Sequence, residues 1–289
     1  MDNSLLSMKP LFLILSFFLF VSCGSESVLI VTDSFWNDFS AGSSTFYNVK
    51  NYLNVIRGGI RPDFVTYQDP LQDFPLWIQD QTAKKEYKSL ILTTPFASYL
   101  QKADASIQTV IMGGFVKLSN SDYNQIISAN KKAFFDAGAM LKSQWLDEER
   151  LPVVLLWKGD GDFEENYQAL LEGWGDEDGI LTNNILILEQ DISDSEGKIN
   201  SFYKRFDFRN GKWCLFAAAE PALGEVLKTW PVEENIVGIL MSADHDFLPK
   251  NIQYLIVRDF MGILSAAADL CATESVTQTV TVNTLFIKR

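Results

Sequence analysis

Asp33 closes an apolar run, Val28–Thr32, and is followed, after Ser34, by Phe35, Trp36 and Asn37. A carboxylate beside flat aromatic faces suits a sugar ring, a base or an amine, gripped by directed hydrogen bonds and by stacking. The same placement recurs along the chain. Thr94 and Phe96 follow Leu90–Thr93, and Gly113, Gly114 and Phe115 follow Val110–Met112. Lys158, Asp160, Asp162 and Glu164 follow Val153–Trp157. Glu220 follows Cys214–Ala218, Asp244 and His245 follow Ile236–Met241, and Arg258 follows Tyr254–Val257. The ligand-binding candidates are therefore Asp33, Phe35, Trp36, Asn37, Phe96, Asp160, Asp162, Glu220, Asp244 and Arg258. Each has a plainer structural use. Phe35 and Trp36 suit packing between strand and helix, Asp33 a turn cap, and Asp160 and Asp162 helix N-caps. Gly113-Gly114 suits a tight turn, and His245 a solvated loop.

Other chemistry is not supported. The chain has no GxSxG, HExxH, CxxC or Walker sequence, and only one histidine. We expect no enzyme, no metal and no cofactor. The spacing after Asp160 and Asp162 does not make a calcium loop, because Leu171 stands where a bidentate glutamate is needed. The 289 residues carry 24 Lys+Arg against 37 Asp+Glu, a formal net charge of −13. That balance argues against nucleic acid, which requires a basic face to displace counterions.

These residues need strands to hold them. Most of the apolar runs are continuous, the mark of parallel strands buried on both faces. The final run, TVTVNTLFI, alternates and reads as an edge strand over Val280–Ile287. Helices are expected between the strands at Phe39–Ile56, Ser121–Leu146, Phe163–Trp174, Ser195–Arg205, Ala222–Thr229 and Phe260–Cys271. Strand–helix alternation of this kind predicts α/β architecture with right-handed crossovers. Ligands of such sheets bind beyond the carboxyl ends of the strands, where the candidates lie.

The amino-terminal segment reads as an export signal. Lys9 precedes the apolar run Pro10–Ser22, which at about 12 residues is too short for a bilayer span of about 20. Its end, Phe20-Val21-Ser22-Cys23-Gly24, resembles the bacterial lipobox. That resemblance implies a signal peptide over 1–22, cleavage after Ser22 and lipidation (palmitate among the chains) at Cys23, holding the chain on the exported side of a cell membrane, periplasmic or surface-exposed. An ordinary secretory signal cut near Ser25 is the alternative. Cys214 and Cys271, in a strand and a helix, read as buried thiols.

The order of elements resembles the type I periplasmic binding protein superfamily over nearly all of residues 28–289. The most similar stretches are Val31-Thr32-Asp33-Ser34-Phe35-Trp36, Gly159-Asp160-Gly161-Asp162-Phe163 with Leu170-Leu171-Glu172-Gly173, the turn Phe216–Gly224, and Ile256-Val257-Arg258-Asp259. The resemblance implies two doubly wound lobes with parallel sheets joined by a three-crossing hinge. Crossings would fall near 116–120, near Arg258-Asp259 and near Glu274–Thr277. The first lobe would be 27–117 plus 259–275, and the second 118–258 plus 276–289. It further implies a small-molecule ligand (sugar, nucleoside or amine) taken in an interlobe cleft for ABC-type import. A permease would be the partner of such an importer. A non-transporting sensor or receptor, or a surface lipoprotein with a structural or host-contact role, are the alternatives. Ala218 and Ala219 stand where sugar-binding members carry Asn-Asp, so sugar specificity does not carry over.

Overall fold

The computed structural model describes residues 26–34, 36, 60–100, 107–114, 117–118, 123–159, 162–175, 179–189, 193–219, 222–232, 236–240, 252–273 and 277–288. The expected helix at 39–56 lies outside them. The chain divides into two compact units. The first comprises Met1–Gly114, Leu118–Ile126 and Met261–Val280, and the second Phe115–Lys117, Ile127–Phe260 and Thr281–Arg289.

The first sheet comprises β1 (Glu26–Thr32), β2 (Ile60–Thr66), β3 (Ser89–Thr93), β4 (Gln108–Gly114), β5 (Asn124–Ala129) and β11 (Thr279–Asn283), in the order β11-β5-β4-β3-β1-β2; β1 to β4 lie wholly in the first unit. β1 pairs in parallel with β2 and β3, and β3 with β4. Pro62 lies in β2, at the edge of the sheet, where a missing N–H is tolerated. Leu29, Val31, Leu90, Leu92 and Ile111 meet helix α1 (Phe74–Lys84) on one face through Phe74 and Ile78. Helix α1 was not expected from the sequence. Its apolar residues Phe74, Trp77 and Ile78 do follow helical spacing, and Pro75 sits in its first turn.

The second unit holds β6 (Arg150–Trp157), β7 (Ile185–Leu188), β8 (Lys212–Ala218), β9 (Ile236–Leu240), β10 (Tyr254–Val257) and β12 (Leu285–Lys288), in the order β12-β10-β9-β8-β6-β7. β6 pairs in parallel with β7 and β8, β8 with β9, and β9 with β10, while β10 and β12 are antiparallel. Helices α2 (Lys131–Glu148), α3 (Phe163–Trp174), α4 (Ile180–Asn183), α5 (Ser195–Tyr203) and α6 (Leu223–Thr229) belong here, and α7 (Phe260–Ala272) to the first unit apart from Phe260. Alternate residues of β6 split between two cores. Val154 and Leu156 face Phe134, Leu141 and Leu170 of α2 and α3. Val153 and Leu155 face Ile199, Phe202 and Val226 of α5 and α6. Two apolar faces on each strand explain the continuous hydrophobic runs. α2 and α3 cross closely at two glycines. A Cβ on Gly138 would strike the Leu170 carbonyl, and one on Gly173 the Phe135 carbonyl.

Two expected elements are corrected. The single helix at Ser121–Leu146 is instead β5 followed by α2. Buried polar residues hid the strand. Gln125 accepts from the Leu118 N–H at 2.8 Å and donates to the Leu118 carbonyl at 3.2 Å. Asn124 accepts from the Gln278 N–H at 2.8 Å. These side chains take the place of ladder partners, so their polarity is not a sign of exposure. The single strand at Val280–Ile287 is two strands, β11 and β12, in different sheets. Thr284 separates them, with its N–H bonded to the Ala129 carbonyl at 2.9 Å.

Candidate functional site

At the carboxyl end of the first sheet, β1 delivers Asp33, β3 delivers Thr93 and Thr94, and β4 delivers Gly113. The Asp33 carboxylate accepts the Trp36 N–H at 2.6 Å through Oδ1 and the Thr93 hydroxyl at 3.0 Å through Oδ2. Thr93 Oγ1 in turn accepts the Asp33 N–H at 3.2 Å. Asp33 thus caps the turn that starts behind β1 while remaining half-exposed. Thr94 donates to the Met112 carbonyl at 3.1 Å and ties the ends of β3 and β4 together. Trp36 is buried, with its ring against Gly113. Gly113 has φ +90°, and a Cβ there would lie 2.8 Å from Trp36 Cζ3.

Phe96 lies in the 3-10 helix Thr94–Tyr99 but is fully buried. Its ring stacks on Phe74 with centroids 4.4 Å apart and meets Tyr67 edge-on at 5.7 Å. It works as core beneath the strand ends and offers no open face. Phe35 and Asn37 lie outside the described residues.

In the second unit, Asp162 occupies the N-cap position of α3 but makes no side-chain cap bond. Burial, and then repulsion from Glu165, hold its carboxyl above the ordinary aspartate range. It shares a shallow groove with Lys131, Glu164, Glu165 and Gln168, and Lys131 pairs with Glu165 at 3.5 Å. Lys158, just past β6, pairs with Glu189 at 3.9 Å. Arg258 follows β10 directly and is half-buried. Asp160, Glu220, Asp244 and His245 lie outside the described residues, as does Cys23. Among the described residues no group of three or more His, Cys, Asp or Glu is placed to hold a metal. Cys214 and Cys271 are buried free thiols.

Asp33 and Trp36 are the expected residues that the structure joins. Thr93 was missed as a member of this cluster. Its signal is a hydroxyl at the end of the otherwise apolar run Leu90–Thr93.

Solved structures share this fold at low sequence identity. A structure of a mutant XylFII–LytSN complex superposes with TM-score 0.57 at 14% identity, covering 91% of this chain and 97% of that one. The fold is that of the type I periplasmic binding proteins. A sugar transporter structure from Clostridium phytofermentans gives TM-score 0.52 at 13% identity, covering 92% of this chain and 100% of the other. The LacI-family regulator CCPA from Weissella paramesenteroides, with bound sucrose, gives 0.52 at 12% identity, with 91% and 97% covered. No family model and no curated protein sequence matches the chain.

Proposed function

We propose that this chain is a lipid-anchored solute-binding protein that captures a sugar, nucleoside or amine for an ABC-type importer, with no covalent chemistry. The observation that carries the reading is the polar cluster of Asp33, Thr93 and Trp36 at the carboxyl end of a parallel sheet, the place where open α/β sheets take ligands. The fold supports it, since proteins of this fold include a sugar transporter and a regulator with bound sucrose. Cys23 is the proposed lipid attachment point, and the exported side of the membrane the proposed location. The proposed ligand set also takes in Phe35, Asn37, Asp160, Asp162, Glu220, Asp244 and Arg258.

Thermal unfolding against a panel of sugars, nucleosides and amines tests the capture. A ligand at 100 times its Kd adds about 2.7 kcal/mol of stability, enough to raise the midpoint by several degrees. A flat response to the whole panel counts against the reading. A second reading, a binding protein that passes its ligand state to a sensor partner instead of a permease, is favoured by the likeness to XylFII, which was solved in complex with LytSN.

A further inference from the structure

We infer that Thr93 is a positioning residue for ligand capture, and that by fixing the Asp33 carboxylate it makes that group's open lone pairs select ligands bearing O–H or N–H donors. The inference rests on the solute-binding reading and deepens it.

Thr93 is buried, only 2% exposed, at the end of a fully buried strand. A hydroxyl has a single proton to give, and Thr93 gives it to Asp33 Oδ2 at 3.0 Å. The same oxygen receives the Asp33 N–H at 3.2 Å. Thr93 therefore grips Asp33 at both its backbone and its side chain. The other carboxylate oxygen is held by the Trp36 N–H at 2.6 Å. With both oxygens tethered, the carboxylate plane is fixed before any ligand arrives. A carboxylate has about four acceptor sites, so roughly half remain for a guest, and all of them accept. Trp36 is seated with equal firmness, because Gly113 leaves room for its ring and no side chain. A ligand must meet this carboxylate with donors. One bearing only acceptors, such as a fully ionised dicarboxylate or sulfate, would face lone pairs with lone pairs. Because Thr93 is buried, it acts on the guest through Asp33 alone.

The test is calorimetric titration at neutral pH of the lipid-free full-length mature chain with ribose, xylose, adenosine, inosine and putrescine, and with succinate and sulfate as acceptor-only probes. Thr93→Val keeps the shape and removes the hydroxyl, Thr93→Ser keeps the hydroxyl, and Asp33→Asn and Asp33→Asn/Thr93→Val complete a cycle. The expected result is binding of at least one donor-bearing probe. Thr93→Val should weaken it about ten-fold, as befits a lost hydrogen bond to a charged group. Thr93→Ser should stay within about three-fold of the parent, the hydroxyl bond being kept, and the double variant should bind no more weakly than Asp33→Asn alone. A folded Thr93→Val that binds like the parent overturns the inference and leaves solute capture standing. If Thr93→Val does not fold, selectivity decides: succinate or sulfate bound as tightly as the best donor-bearing probe overturns it. Failure of every probe to bind overturns the capture reading itself.

Discussion

Replacing Gly113 with alanine tests how tightly the first unit holds Trp36. Two costs add. At φ +90° an L-residue pays about 1–2 kcal/mol that glycine does not. The new methyl would lie 2.8 Å from Trp36 Cζ3 and 3.2 Å from Cε3, whereas carbon atoms prefer about 3.5–4.0 Å. The buried indole must therefore move by close to an ångström, and overpacking of this kind costs about 1–3 kcal/mol. Gly113→Ala should lower stability by about 2–5 kcal/mol in total. The two parts separate in a double-mutant cycle. In a Trp36→Ala background the clash is gone and only the backbone cost of about 1–2 kcal/mol remains. Urea unfolding followed by circular dichroism gives all four values. Equal penalties in the two backgrounds, or a loss below about 1 kcal/mol in the parent, would refute the placement of Trp36 against this glycine.

Further expectations concern the rest of the molecule. Gly138→Ala and Gly173→Ala should each destabilise the second unit by about 1–3 kcal/mol, because the added carbon meets a backbone carbonyl of the facing helix; the sign opposes the gain of roughly 1 kcal/mol that alanine brings to an isolated helix, and urea midpoints measure it. At Asp63, burial raises the carboxyl, but hydrogen bonds from Lys85 and Tyr87 and the charges of Lys85 and Arg61 outweigh it and hold the pKa below the ordinary value. A depressed folded pKa adds stability that is present above the unfolded value and lost as pH falls through the folded one. Asp63→Asn should thus cost below about 1 kcal/mol at neutral pH, the pair being largely solvent-screened, and the difference from the parent should vanish in acid below pH 3.8. Burial raises the thiol of Cys214 and pushes that of Cys271 up to about 11, so neither should react with a thiol-titrating disulfide reagent at pH 8 until the chain is unfolded.

Much of the fold was written in the chain in a form that hydrophobic periodicity can read. The runs 153–157 and 214–218 are continuous because Val153 and Leu155 serve one core while Val154 and Leu156 serve the other. Where buried polar groups stand in for backbone, the same reading fails. Asn124 and Gln125 are 4% exposed, yet their types suggest a solvated helix face or loop, and β5 went unseen. Thr284 is likewise buried and bonded to Ala129, a long-range contact that no local pattern announces. At the site, Asp33 and Trp36 were legible from their types and from the strand that ends before them. Thr93 was not, because its role depends on a hydrogen bond spanning sixty positions. Phe96 shows the opposite effect. Its place after a strand suggested a ligand face, but packing with Phe74 and Tyr67 claims its whole ring.

Solute capture is tested most directly by what the protein carries. The chain from Cys23 onward, equilibrated with a small-molecule extract, rapidly desalted and then denatured, should release one compound in near-equal molar amount, identified by mass spectrometry and rich in hydroxyl or N–H donors. Release of nothing above the level of an unrelated control protein, from a chain shown to be folded, would contradict the account.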